Sequence, residues 1–254
     1  MSEPNPSALR GRGVTPELEL ESVSFSYGKR VALRDITLSL PIGVTGLLGP
    51  NGAGKSTLLS IAATTLAPQA GAVRVAGRDT ADRDGRAAAR QKIGFLPQRF
   101  DLMSWSSGAR NVSYAAWAQG VDPELCEEKA RRALELVDLH QLADRRVRTL
   151  SGGQRQRLGI ACALAHDPDV LLLDEPTVGL DPVQRSELRS HLAVVGSEKV
   201  VLLSTHLVDD LARIADRIVV ISTGTIVFNG TLDELHAADG DLEAAYVRIM
   251  GGSR

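Results

Sequence analysis

Aromatic side chains make up only 4% of this 254-residue chain, so any clustering of them carries information. Cysteine is scarcer still: Cys126 and Cys162 stand far apart and fit neither a disulfide framework nor a metal-ligand spacing. Such usage suits the reducing cytosol. There is no basic excess, the formal net charge being −2, so no nucleic-acid partner is expected. The run of roughly 18 apolar residues that a membrane-spanning helix requires is also missing. Residues 1–16 hold three prolines and two glycines and no secretory-type apolar segment, and are expected to form a mobile leader. The final residues, Gly251 to Arg254, are expected to trail in the same way. Internal repeats and low-complexity tracts are absent. What remains is an ordinary globular composition, long enough for one or two domains with a real core.

Apolar periodicity sets out that core. Leu18 to Phe25 and Ile36 to Leu40 alternate apolar and polar, as half-buried antiparallel strands do. Val44 to Leu48 is a short apolar strand entering a glycine-rich loop, and Ser56 to Leu66 is helix-compatible. Strands are predicted at Ala72 to Val75 and Ile93 to Leu96. Between Phe100 and Leu150 the chain turns alanine-rich, with Ala130, Leu134 and Val137 at helical spacing. This predicts a helical subdomain, covering about residues 99–165, inserted in an α/β core. Helices from Gly152, Pro182 and Leu207 then alternate with strands Val170 to Leu173 and Val200 to Leu203. Strands Ile218 to Ile221 and Thr225 to Phe228 follow. That alternation implies a mostly parallel sheet with crossover helices, preceded by an antiparallel β-subdomain. The main domain is expected over residues 17–235, with a short tail at 236–254.

Gly49-Pro50-Asn51-Gly52-Ala53-Gly54-Lys55-Ser56-Thr57 fits the phosphate-cradling pattern G-x-x-x-x-G-K-[ST], with a strand before it and a helix after. Glycines let successive backbone N–H groups turn inward on phosphate oxygens, and the helix adds its positive end. Lys55 supplies a mobile charge for β- and γ-phosphates, and the Ser56 hydroxyl is placed to hold Mg²⁺. The complementary half of such a site is an apolar strand ending in a carboxylate. Val170-Leu171-Leu172-Leu173-Asp174 supplies it, with Glu175 next. Asp174 is expected to hold Mg²⁺ through water, and Glu175 to orient and polarise the attacking water. An Asp-Glu pair standing alone would more often be a solvated strand end.

Leu150-Ser151-Gly152-Gly153-Gln154, followed by Arg155-Gln156-Arg157 ahead of the Asp174 strand, resembles the signature of ATP-binding-cassette ATPases. The resemblance runs from about Glu17 to Leu235, nearly the whole chain. It implies a P-loop NTPase fold with the antiparallel subdomain and helical insert described above. It also implies that Tyr27 stacks on adenine, that Gln98, between core and insert, is a catalytic residue and an Mg²⁺ ligand, and that His206 is a switch histidine hydrogen-bonding the γ-phosphate. Gly179-Leu180-Asp181 is similar to the loop after the catalytic glutamate, which brings Asp181 to the nucleotide. Taken alone, Tyr27 also fits a ring packed at a strand end, His206 a helix cap, and Gln98 an ordinary loop residue.

Ser151 is a good helix N-cap, and Gly152 and Gly153 expose N–H groups at a helix start, which makes a second anion site. A capped surface helix is the bland alternative. In the family, two subunits pair head to tail, so each ATP lies between one P-loop and the partner's signature. The implied ligands are ATP and Mg²⁺. The implied partners are a second copy or a homologous cassette, and a membrane permease that holds the chain at the inner face of the cell membrane. Trp105, Trp117, Met103 and Tyr114 cluster after Gln98, and Phe100 to Trp117 is expected to line the permease-docking groove. Core packing of the insert is the alternative for each of these residues. The Thr223-Gly224-Thr225 hairpin and the Gly230-to-Leu235 ending resemble exporter-type subunits. Other readings are a non-transport cassette ATPase and a nucleotide-binding scaffold without hydrolysis; Glu175 and His206 argue against the scaffold. A GTPase is disfavoured by the lack of an Asn-Lys-x-Asp motif.

Overall fold

Alternation in the first strand decides which way the N-terminal sheet faces. In the computed structural model, which describes residues 17–236 and 242–251, strand β1 (Leu18–Tyr27) buries Leu18, Leu20, Val23 and Phe25. It pairs antiparallel with β2 (Arg30–Leu40) on one side and β4 (Ala70–Val75) on the other. The short β5 (Arg78–Asp79) forms the edge of this four-stranded sheet, ordered β2-β1-β4-β5. The expected leader, residues 1–16, lies outside the described residues.

The second sheet has six strands in the order β10-β9-β3-β8-β7-β6. They are β3 (Gly43–Leu48), β6 (Ile93–Leu96), β7 (Val170–Asp174), β8 (Val200–Thr205), β9 (Arg217–Ser222) and β10 (Thr225–Thr231). Every pairing is parallel except β9 with β10. Thr223 and Gly224 both have positive φ, 46° and 82°, and so form the type I′ turn that a two-residue antiparallel hairpin favours.

Both faces of this sheet are covered, which explains why its strands read as continuous apolar runs. Val170 and Leu172 point into one core with Leu47, Leu58, Leu59 and the antiparallel sheet, while Leu171 and Leu173 point into the other. Each such buried leucine is worth about 1.5–3 kcal/mol over an exposed one. Helix α1 (Lys55–Ala62) belongs to the first core, and the polar α2 (Arg83–Arg90) adds only Ala89 to it. The second core holds α3 (Gly108–Ala118), α4 (Cys126–Leu136), α5 (Gly152–Leu164) and α6 (Pro182–Gly196). Three of these, α3, α4 and α5, pack on one another as the expected helical insert.

The chain closes with α7 (Val208–Leu211), α8 (Leu232–His236) and α9 (Leu242–Gly251). A reciprocal Thr231–Glu234 capping box starts α8. The tail at 236–254 thus carries a packed helix: Leu242 and Ala245 of α9 are buried in the second core. Gly251 ends that helix, and 252–254 lie outside the described residues.

Parallel pairing brings the functional loops together. In register, Leu48 lies opposite Thr205, Asp174 opposite Ser204, and Leu96 opposite Leu173. The loops that follow β3, β6, β7 and β8 therefore leave the sheet side by side at its carboxyl edge, where open α/β sheets bind ligands.

Candidate functional site

Gly54 is the N-cap of α1 and lies in the left-handed region at φ 114°. A Cβ there would fall 2.6 Å from the carbonyl oxygen of Ala32, so neither the backbone angle nor the space suits another residue. Without a capping side chain or an acidic residue in the first turn, the leading N–H groups and positive end of α1 remain available to an anion. They open into a cavity of about 490 Å³, lined by Pro50, Asn51, Gly52, Lys55, Ser56 and Thr57 among others.

Lys55 is 4% exposed, and its ammonium donates to the carbonyl oxygens of Gly49 at 2.6 Å and Pro50 at 3.3 Å. Burial lowers its proton affinity, while Glu175 and Asp174 pull it back up. The Glu175 Oε1 atom lies 3.8 Å from that ammonium and 3.5 Å from His206 Nδ1. Its Oε2 accepts from Gln98 Nε2 at 3.2 Å. One carboxylate from the end of β7 is thus held by a cation from the β3 loop, an amide from the β6 loop and an imidazole from the β8 loop.

Glu175 occupies φ 50°, an unusual conformation for a non-glycine residue that costs about 1–3 kcal/mol. Ser204 holds it there. The Ser204 hydroxyl is fully buried, accepts the Glu175 N–H at 2.9 Å and donates to Asp174 Oδ1 at 2.6 Å. Ser204 carries no motif that could be read from the sequence, because its role exists only once β7 and β8 are paired. Ser204→Ala is expected to leave two buried polar groups unsatisfied. Stability should fall by about 1–3 kcal/mol and turnover should drop as Glu175 loosens, measured by denaturant unfolding and phosphate release.

Tyr27 lies at the cavity mouth, 56% exposed, with its edge set against Phe25 at a centroid distance of 4.9 Å. Arg30 pairs directly across from Tyr27 and lines the same cavity, a contribution the sequence reading missed. The Gly28-Lys29 turn after Tyr27 was the available signal. Ala53 is buried in the loop, and Gly49 contributes through its carbonyl.

The signature segment lies apart. Ser151 caps α5 in a capping box, accepting from Gln154 N–H at 3.2 Å, while its own N–H donates to Gln154 Oε1 at 2.9 Å. None of Ser151, Gly152, Gly153 or Gln154 lines the 490 Å³ cavity. Asp181 is also outside it and serves as the N-cap of α6, accepting Gln184 N–H at 2.9 Å. Gln184 in turn fits against Gly153, where a Cβ would fall 2.5 Å from its Oε1. One chain therefore presents two separate glycine-bearing helix starts, at Gly54 and at Ser151.

Residues 33–178 match the family model described as ABC transporter. The chain is 36% identical over 219 residues to an uncharacterised ABC transporter ATP-binding protein, YxlF, of Bacillus subtilis, covering 86% of this chain and 72% of that one. It is 39% identical over 216 residues to the daunorubicin resistance ATP-binding protein DrrA3 of Streptomyces coeruleorubidus, covering 84% and 68% respectively. A dimeric ATP-binding cassette in a post-hydrolysis state, bound to ADP and Pi, superposes with a TM-score of 0.74 at 28% identity. That superposition covers 85% of this chain and 98% of the other. With the cradle, the carboxylate strand and the signature all in place, the chain belongs to the ABC transporter family, as one of its ATP-binding and ATP-hydrolysing cassettes.

Proposed function

We propose that two copies of this chain, or this chain and a homologous cassette, close head to tail around two ATP molecules and drive a separate membrane permease outward. The observation that carries the pairing is the division of the phosphate-binding groups. The cradle, Glu175, Gln98 and His206 share one cavity or touch its lining, while the N-terminus of α5 at Ser151 opens elsewhere. A second chain supplies what each cavity lacks, and the dimeric, ADP- and Pi-bound relative supports that arrangement. Contacts from the partner's Ser151 and Gly153 to γ-phosphate would exist only before hydrolysis. Its loss therefore shifts the equilibrium toward the open pair.

Within each cavity, Tyr27 stacks on the base and Lys55 with the loop N–H groups holds the β- and γ-phosphates. Glu175 takes the proton of the attacking water, and His206 contacts the γ-phosphate. Asp181 braces the start of α6 beside the signature. The donor set also suits Mg²⁺. Gln98 turns its amide nitrogen to Glu175, leaving its carbonyl oxygen as a hard ligand, and Asp174 commits only Oδ1 to Ser204. Ser56 would complete the protein ligands. The ion would neutralise charge developing on the transferred phosphoryl group.

Among the described residues no helix is long and apolar enough to cross a membrane, so attachment to the inner face of the cell membrane would run through the permease. A groove of about 340 Å³, lined by Phe95, Leu102, Met103, Tyr114 and Gly159, lies beside α3. Of the aromatics expected there, Tyr114 lines the groove, with the Trp117 ring centroid 5.7 Å from its own. Exposed Trp105, with the Arg148 guanidinium 4.4 Å above its ring, is not one of the lining residues. Exposed aromatics of this density mark a binding surface. The outward direction is supported by the drug-resistance relative. Tyr114→Glu is expected to abolish co-purification of the chain with its permease from solubilised membranes, at an exposed position where the fold tolerates charge. Undiminished co-purification would reject the groove as the docking site.

A further inference from the structure

The last described helix lies outside the nucleotide cavity, yet it stands behind a residue that acts there. Leu242 and Ala245 of α9 are buried in one apolar cluster with Val208 and Leu211 of α7 and Leu235 of α8. On its other side Leu211 lies against Gly46 of β3, where a Cβ would fall 2.1 Å from Leu211 Cδ1. Helix α7 is thus clamped between the central strand and α9. With four residues and no side-chain N-cap, α7 has little hydrogen bonding of its own to fix it.

His206 immediately precedes that short helix. Between the two, the Leu207 N–H bonds Thr205 Oγ1 at 3.0 Å. The His206 ring faces Glu175. His206 also lines a cavity of about 320 Å³, together with Leu207 and Val208 and with Glu243, Tyr246 and Val247 on α9. The imidazole therefore has space to retreat from Glu175, and the limit of that retreat is set by α9.

We infer that α9 is a positioning element for His206, acting through the half-buried ring of Tyr246. It holds α7 and the preceding loop forward, so that the imidazole stays within reach of Glu175 and the γ-phosphate. A side chain removed from this wall deepens the cavity and lets the loop relax backward without disturbing the phosphate cradle. The inference rests on the reading of His206 as a γ-phosphate contact.

The test is Tyr246→Ala in the full chain, assayed for ATP turnover. Because a small misplacement of a catalytic group costs rate more than binding, kcat should fall roughly tenfold while KM for ATP stays within about twofold. Tyr246→Phe, which keeps the ring, should retain the original kcat. In a His206→Ala background, Tyr246→Ala should produce no further loss. Original kcat in Tyr246→Ala, with His206→Ala impaired, would overturn the inference alone. So would equal losses in both backgrounds, since the effect would then bypass His206. An unimpaired His206→Ala would overturn the reading of His206 and the inference with it. If Tyr246→Ala fails to fold, Val247→Trp replaces it at a position 67% exposed on the same wall. A kcat changed only when His206 is present supports the inference, and an unchanged kcat rejects it.

Discussion

Glu175→Gln is expected to lower ATP turnover by about 10²- to 10⁴-fold while leaving an ATP-bound dimer that no longer separates. The substitution keeps shape and loses basicity. Its amide oxygen can still accept from Gln98 Nε2, now 3.2 Å from Glu175, and its amide nitrogen can donate toward His206 Nδ1, now 3.5 Å away. The backbone at φ 50° remains tied to Ser204. What disappears is the carboxylate able to take a proton from water. Removing that negative charge also relieves repulsion against an incoming γ-phosphate, so ATP binding should be equal or tighter. Phosphate release gives the first quantity, and size-exclusion chromatography with and without ATP gives the second. An unchanged hydrolysis rate would remove Glu175 from its role as base.

Much of this site could be read in the sequence because its parts are local. The phosphate loop needs nine consecutive residues, Gly49 to Thr57, between a strand and a helix, and the structure places β3 and α1 on either side. Strand β6 has the predicted limits, Ile93 to Leu96, and α5 starts at the predicted Gly152. The departures have identifiable causes. Helix α1 stops at Ala62, short of Leu66, because Thr64 turns the chain at φ 58°. Strand β2 begins well before Ile36, its alternation interrupted where Asp35 adopts φ 50°. Helix α2 buries only Ala89 and so has no apolar stripe to detect. Contacts across strands were out of reach: Ser204 bridging Asp174 and Glu175, Arg30 beside Tyr27, and α9 behind His206 all depend on tertiary pairing.

Lys55→Ala should act earlier in the cycle, on binding itself. The ammonium is buried within 2.6 Å of the Gly49 carbonyl and 3.8 Å of Glu175, and near enough to Asp174 to feel its charge. Burial already depresses its proton affinity, so an incoming phosphate offers it a stronger partner than the loop carbonyls do. In the alanine variant that contact is gone, and Asp174 and Glu175 face the triphosphate without a neighbouring cation. A hydrogen bond to a charged group is worth about 1.5–3 kcal/mol, which converts to a loss of ATP affinity of roughly 10- to 100-fold. Repulsion from the two carboxylates pushes the loss toward the upper end. Lys55→Arg should not restore binding, because a planar guanidinium cannot enter the space of a compact ammonium that is 4% exposed. Equilibrium titration with a fluorescent ATP analogue separates this outcome from that of Glu175→Gln. The lysine variant should lose affinity and never form the ATP-dependent dimer, whereas the glutamine variant should bind and remain closed. Original ATP affinity in Lys55→Ala would remove Lys55 from the phosphate cradle.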